Sequence, residues 1–283
     1  MSDRLFRRMV IGCICTWLGV LALLPLLLVM FASFLSKGQN VLFHWHVTLA
    51  QYAHLFHFVY LHIFLRSLWV AMITTLLCLL LGYPLAYMIA KAPGKRRMAL
   101  LFFLIIPFWT SSLIRTYAII TIIKSQGLLN HWLMQLGLIH QPLHILYTQW
   151  ASQIGLVYSL LPFMVLPLYV TLEKFDWRLL EAARDLGANS WQAFWRVLVP
   201  VSMPGVLAGV LLVLLPAMTL FYIPDILGGA KSMLLGNLIY NEFLEMRNWP
   251  MGAAISVVLT GIVVAMLFVY FKLTDKNQRQ ALV

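Results

Sequence analysis

Charged side chains cut this chain into long apolar stretches. None falls between Arg8 and Lys37, between Arg66 and Lys91, between Arg196 and Asp225, or between Arg247 and Lys272. Residues 98–123 carry only Arg115. The run from Lys124 to Glu173 is also uncharged, but Gly127, Asn130, Gly137, Gln141 and Pro142 make its first half turn-like. The apolar part is its second half, residues 150–172. A helix rises 1.5 Å per residue, so about 20 apolar residues cross a bilayer. Six helices are therefore predicted, near 10–34, 65–90, 98–122, 150–172, 203–224 and 250–272. Only helices and closed barrels satisfy their backbone hydrogen bonds in lipid, and these runs do not alternate as barrel strands do. The expectation is an all-α integral membrane protein with about six transmembrane helices.

Composition agrees: 62% of the residues are hydrophobic and 10% charged, where soluble domains run nearer ~45–50% and ~25%. The formal charge of +11 does not indicate nucleic acid, because the basic residues sit in short segments between apolar runs. With the N-terminus inside, 14 of the 20 Lys and Arg fall on the cytoplasmic side. Both termini are thus expected in the cytoplasm, in a bacterial inner membrane. The first run is too long for a signal-peptide core and is read as an uncleaved anchor. Cys13, Cys15 and Cys78 lie inside apolar runs and read as small hydrophobes, with no disulfide or metal site.

The outer segment 38–64 is rich in aromatics and His: Phe43, His44, Trp45, His46, Tyr52, His54, Phe56, His57 and His62. His44 with His46, or His54 with His57, could share a metal, but no Asp, Glu or Cys lies near to complete a site. An interfacial amphipathic segment is the expected reading.

The segment 173–205, EKFDWRLLEAARDLGANSWQAFWRVLVPVSMPG, predicts two short surface helices. Asp176 caps a helix starting at Trp177, and Gly187 ends it in a left-handed conformation. Ser190 caps the second helix, which Pro200 and Pro204 close before the next crossing. Glu181 and Asp185 are like charges four residues apart, with Asp185 at the negative end of the helix dipole. That arrangement suits a partner surface that supplies cations.

Glu181-Ala182-Ala183, Gly187 four residues on, then Val197-Leu198-Val199-Pro200 resembles the EAA loop of binding-protein-dependent ABC importer permeases. Val197 and Val199 stand where the family more commonly has Ile and Leu; the spacing is kept. The resemblance implies a type I ABC importer permease fold. It implies that Glu181, Ala182, Ala183, Asp185, Gly187 and Pro200 couple the chain to an ATPase subunit. It divides the chain into an anchor helix and periplasmic loop (1–63), a permease core (64–273) with the EAA loop at 174–204, and a cytoplasmic tail (274–283). No G-x-x-x-x-G-K-[ST] is present, since Gly94-Lys95 lacks the rest of the phosphate cradle. The chain is not expected to be an enzyme or to hold a cofactor; ATP and Mg²⁺ belong to the partner.

Five segments, one of them within that loop, resemble spermidine/putrescine permeases of the B type: 80–87, 106–119, 155–169, 179–188 and 214–237. This resemblance implies a second homologous permease, two ATPase subunits and a periplasmic polyamine-binding protein. Polyamines are flexible polycations, and their path wants carboxylates and aromatic faces. Asp225, Phe221 and Tyr222 at the outer end of the fifth helix, and Trp109 and Tyr117 on the third, are the candidate path residues. Pairing of Asp225 with Lys231 is the structural alternative. Arg115 is out of place in a cation route and either meets an acid on the partner permease or snorkels outward. Ferric ion, sulfate, thiamine or molybdate on the same scaffold stays open, as does a secondary transporter or channel working alone.

Overall fold

A computed structural model describes residues 3–38, 44–229 and 233–280. Phe43 and Lys231 lie outside them. The described chain is helical apart from one short ribbon. Helix α1 (Asp3–Ala32) exposes apolar residues on every side, Trp17 and Leu28 among them. Such a helix is stable only with lipid as solvent. Strands β1 (Leu35–Ser36) and β2 (His44–Val47) pair antiparallel, Leu35 opposite Val47. Helix α2 (Ala50–Leu55) follows, its Tyr52 hydroxyl 2.7 Å from that of Ser33.

Helix α3 (Phe58–Lys91) has 34 residues. It starts well before the expected residue 65, so His62 stacks on Phe58 inside a helix rather than in a loop. No Gly or Pro interrupts residues 58–81, and a single Arg66 does not stop a helix. At about 1.5 Å per residue α3 is longer than the hydrocarbon is thick.

The third crossing is broken. Helix α4 (Gly94–Ile105) passes through a 3₁₀ turn (Ile106–Trp109) and then, past extended Thr110 and Ser111, into α5 (Ser112–Ile123). The two halves meet at 97°. Pro107 cannot donate to the ladder, and the Thr110 hydroxyl instead donates to the Pro107 carbonyl at 2.8 Å. The turn-like stretch that follows contains a helix not expected from sequence, α6 (Leu128–Gln135). Asn130, buried beneath it, donates to the carbonyls of Lys124, Ser125 and Leu143 and accepts from the Leu143 amide.

Helix α7 (Gln149–Glu173) is followed by α8 (Arg178–Asp185) and α9 (Ser190–Ala193). A π-helical turn (Phe194–Leu198) joins α9 to α10 (Val199–Thr219). Beyond it come a short π turn (Pro224–Gly228), α11 (Leu235–Tyr240), another π turn (Asn241–Glu245) and α12 (Trp249–Gln280). Among the described residues, five unbroken helices can cross a membrane, and the bent pair makes six. The fifth crossing runs over Ser190–Thr219, not 203–224, because the widened turn at Phe194–Leu198 carries the helix past Pro200.

The chain folds as two units: Met1–His62 with Leu238–Ala265, and Ile63–Asn237 with Met266–Val283. In the first, the Tyr60 hydroxyl donates to buried Glu242 at 3.3 Å, and Gly252 leaves room for the Phe243 ring. In the second, α3 and α10 close on α7 through small residues, the usual device of membrane helices. A β-carbon on Gly209 would lie 2.6 Å from Met164 Sδ, and one on Gly205 would lie 2.9 Å from the Pro167 carbonyl and 2.5 Å from Thr171 Oγ1. Buried Thr74 donates to Gln153 Oε1 at 2.8 Å, and Gln153 returns a bond to the Val70 carbonyl.

Gly205→Leu puts a side chain against a fixed backbone carbonyl, whereas Gly12→Leu meets open space. Overpacking costs about 1–3 kcal/mol. The first variant should therefore lose thermal stability in detergent, read by fluorescence-detected size exclusion, and the second should match wild type. Equal melting of both would refute the close packing of α10 on α7.

Candidate functional site

The loop between α7 and α10 is built from its caps outward. Asp176 Oδ1 accepts from the Arg178 amide at 3.0 Å, so α8 begins one residue later than expected. Leu180 turns inward and is buried, while Glu181, Ala182 and Asp185 are exposed and Ala183 is half-buried. Gly187 takes φ +87°. The Ala188 amide bonds back to the Ala183 carbonyl and the Gly187 amide to Arg184, a Schellman ending that satisfies two orphan carbonyls. The left-handed residue is thus the expected one.

Two expectations need correction. The cap of α9 is Asn189, not Ser190: its Oδ1 accepts from the Gln192 amide at 2.7 Å, and Gln192 Oε1 accepts from the Asn189 amide at 3.1 Å. A Gln three residues after the cap makes this a reciprocal capping box. Nor do Pro200 and Pro204 close a helix. The Val199 amide reaches back five residues to the Phe194 carbonyl. This widened turn absorbs the proline, which has no N–H to give and would crowd the carbonyl four residues before it. Pro200 stands exposed where the surface helix becomes the crossing.

The path candidates fall into two groups. Asp225 is not on the fifth crossing, which ends at Thr219 with Leu220 extended. It sits on the short helical turn that follows, its amide bonded to the Phe221 carbonyl at 3.1 Å. The Phe221 and Tyr222 rings meet edge to face at 5.9 Å. Asp225 itself is exposed in the isolated chain. Trp109 is 74% exposed and Tyr117 60%; Trp109 packs edge-on against Phe102. Helix α5 meets the Asp225 turn through Ile119 and Ile120, which pack with Ile223 and Leu227 in a cluster that includes Tyr222. The rings of His54 and His57 stack at 5.4 Å. Among the described residues no three His, Cys, Asp or Glu side chains gather as a metal site.

Residues 82–272 match the binding-protein-dependent transport system inner membrane component family. The chain belongs to this family. It is 48% identical over 267 residues to the spermidine/putrescine transport system permease protein PotB of Haemophilus influenzae, covering 94% of this chain and 93% of that one. It is 50% identical over 256 residues to PotB of Escherichia coli, covering 90% and 93%. The inner membrane ABC transporter permease protein YdcU of Escherichia coli is 30% identical, covering 75% of this chain and 71% of that protein. A crystal structure of a bacterial alginate ABC transporter, in complex with its alginate pentasaccharide-bound periplasmic protein, aligns with a TM-score of 0.74 at 18% identity. It covers 95% of this chain and 93% of that one, and shows a shared fold. This inner membrane component is a multi-pass permease of an ABC importer, not an enzyme, and it works with other subunits and a binding protein.

How the permease holds its loop was not read from sequence. Tyr83, Tyr87 and Lys91 fall four residues apart along α3. Tyr87 meets Trp177 edge to face at 5.5 Å, and Lys91 Nζ lies 4.8 Å from the Tyr87 ring centre and 5.2 Å from that of Trp177. Tyr83 meets Phe194 at 5.4 Å and its hydroxyl lies 2.9 Å from Ser202 Oγ. One stripe of α3 therefore grips the loop both before α8 and after α9. Arg97 adds an ion pair to Glu173 at 2.9 Å and bonds to the Ala90 and Ala92 carbonyls. The visible sequence signal was the crowd of aromatics flanking the motif; which ring meets which is a tertiary matter.

Loss of an N-cap costs about 1 kcal/mol. Asn189→Ala should speed amide exchange at Gln192 several-fold, measured by hydrogen–deuterium exchange with mass spectrometry, while Ser190→Ala leaves it unchanged. The reverse order would restore Ser190 as the cap.

Proposed function

We propose that this permease carries polyamines, the spermidine and putrescine class, into the cytoplasm. The observation that carries this reading is about half identity, across nine-tenths or more of the chain, to permeases named for spermidine and putrescine. The proposed complex holds a second homologous permease, two ATPase subunits and a periplasmic polyamine-binding protein. ATP and Mg²⁺ act in the ATPase subunits. Both termini of this chain face the cytoplasm, which the Lys and Arg distribution supports.

Coupling runs through the loop. Glu181, Ala182, Ala183, Asp185 and Gly187 form the part that docks on the ATPase, and Pro200 marks where the docked helix becomes a crossing. Leu186 at 90% exposure and Trp191 at 68% stand beside them on a water-side loop, and burying such side chains favours association by about 25 cal/mol per Å². The acidic pair Glu181 and Asp185 suits a basic rim on the partner. The path runs past Asp225, with Phe221 and Tyr222 one turn away and Trp109 and Tyr117 exposed on the broken crossing. A carboxylate attracts the ammonium groups, and ring faces take ammonium and methylenes alike.

Glu181→Lys should leave membrane insertion intact and lower uptake per ATP hydrolysed, with weaker co-purification of the ATPase. A bound ATPase and normal uptake in that variant would mean the loop is only a connector. Asp225→Asn should cut radiolabelled spermidine uptake by about tenfold, equivalent to 1.4 kcal/mol, with complex assembly unchanged. Trp109→Ala should act in the same direction but less. Uptake of spermidine and putrescine at background level by the wild-type complex would overturn the substrate.

A further inference from the structure

Among the described residues one ion pair is present, Arg97 with Glu173 at 2.9 Å, and it sits at the root of the loop. Glu173 is the last residue of α7. Arg97 stands in the first turn of α4, its amide on the Pro93 carbonyl. All three guanidinium nitrogens are used. Nη1 donates to Glu173 Oε1, Nη2 to the Ala90 carbonyl at 3.3 Å and Nε to the Ala92 carbonyl at 3.3 Å. The last carbonyls of a helix have no partner within it, and a cation there also meets the negative end of the helix dipole. One side chain therefore joins the ends of α3 and α7 to the start of α4.

Helix α4 has little else to hold it. None of its residues is buried in this chain, and past Trp109 the crossing bends by 97° before α5. Among the described residues, Arg97 is the α4 side chain that hydrogen-bonds to other helices. Six residues earlier, Lys91 lies over the rings of Tyr87 and Trp177. The turn between α3 and α4 thus holds the chain at both 173 and 177, the two ends of the link that enters α8. The Arg97 and Glu173 side chains are 33% and 41% exposed, and a pair so open to water adds little stability. What it supplies is geometry. A guanidinium is a rigid planar fork that fixes several acceptors at once, unlike an ammonium on a flexible stem.

We propose that Arg97 is a positioning residue for transport: it fixes the root of the coupling loop to the broken third crossing, so that the two move together. The inference rests on the reading above that the loop couples this chain to an ATPase. From Arg97, α4 leads directly to Trp109, and across the bend to Tyr117. A displacement of the loop is then delivered to the crossing that carries these path candidates, as well as to α3.

The test uses the whole complex in proteoliposomes and reads spermidine taken up per ATP hydrolysed. Arg97→Ala and Arg97→Lys should each lower this ratio about fivefold, with membrane level, melting temperature and co-purified ATPase as in wild type. Glu173→Ala should lower it too, and adding it to Arg97→Ala should cause no further loss, because residues acting as one unit are not additive. Arg97→Glu combined with Glu173→Arg should recover part of what Arg97→Glu alone loses. A wild-type ratio in Arg97→Ala, losses that multiply in the double variant, or a fall in melting temperature with the ratio unchanged would each overturn the proposal. If Arg97→Ala does not accumulate in membranes, Arg97→Lys, which keeps the charge and loses the fork, decides. Glu181→Lys serves as the control: an unchanged ratio there means that the loop does not couple, and the reading beneath the proposal falls with it.

Discussion

Every backbone amide and carbonyl inside a bilayer must find its partner within the protein, and the rest of this structure follows from that demand. It makes the crossings helical and confines irregular backbone to a few places. The irregularities are the bend after Pro107 and the π turns at Phe194–Leu198, Pro224–Gly228 and Asn241–Glu245. At two of them the group that takes over an acceptor is visible. The Thr110 hydroxyl takes the Pro107 carbonyl. The Val199 amide takes the Phe194 carbonyl, one residue farther back than usual. The residues with chemistry to offer, Trp109, Arg115, Pro200 and Asp225, all lie within a few positions of such an interruption.

The same solvent removes the hydrophobic effect as a force between helices, so packing must come from fit. Gly82, Gly205 and Gly209 let α3 and α10 approach α7 closely, with Met164 filling the space between the first and last. Short polar bonds such as Thr74 to Gln153 fix the register. At the helix ends beside the loop water returns and the means change. There aromatic edges, a cation over two rings and one ion pair attach the loop to α3, α4 and α7. A loop gripped at both ends by one helix is tied to that helix, as the coupling role proposed for it would require.

Charge is scarce, and that makes each charge informative. Nine acidic residues serve the whole chain, four of them between Glu173 and Asp185. That cluster is exposed on the loop, apart from the pairing of Glu173. Arg115 is the counterpart case, a cation far in sequence from any acid.

The sequence by itself determined the class and most of the elements, because uncharged runs and their lengths are local properties. It also determined the loop: the E-A-A spacing, and Gly187 as the left-handed residue, since few other residues adopt that backbone cheaply. It erred at boundaries. Ser190 and Asn189 both cap well, and only the side chain of Gln192 reaching back selects Asn189. Pro200 and Pro204 read as stops, yet one widened turn carries the helix past them. Asp225 read as the end of a crossing because no charge intervenes between Arg196 and Asp225, while the backbone breaks at Leu220 without any polar signal. Only tertiary structure decided that Tyr83, Tyr87 and Lys91 hold the loop and that Arg115 rests on Phe108 with its Nε unmet. Those contacts join residues whose meeting depends on how the helices pack, and neither spacing nor propensity carries information about who meets whom.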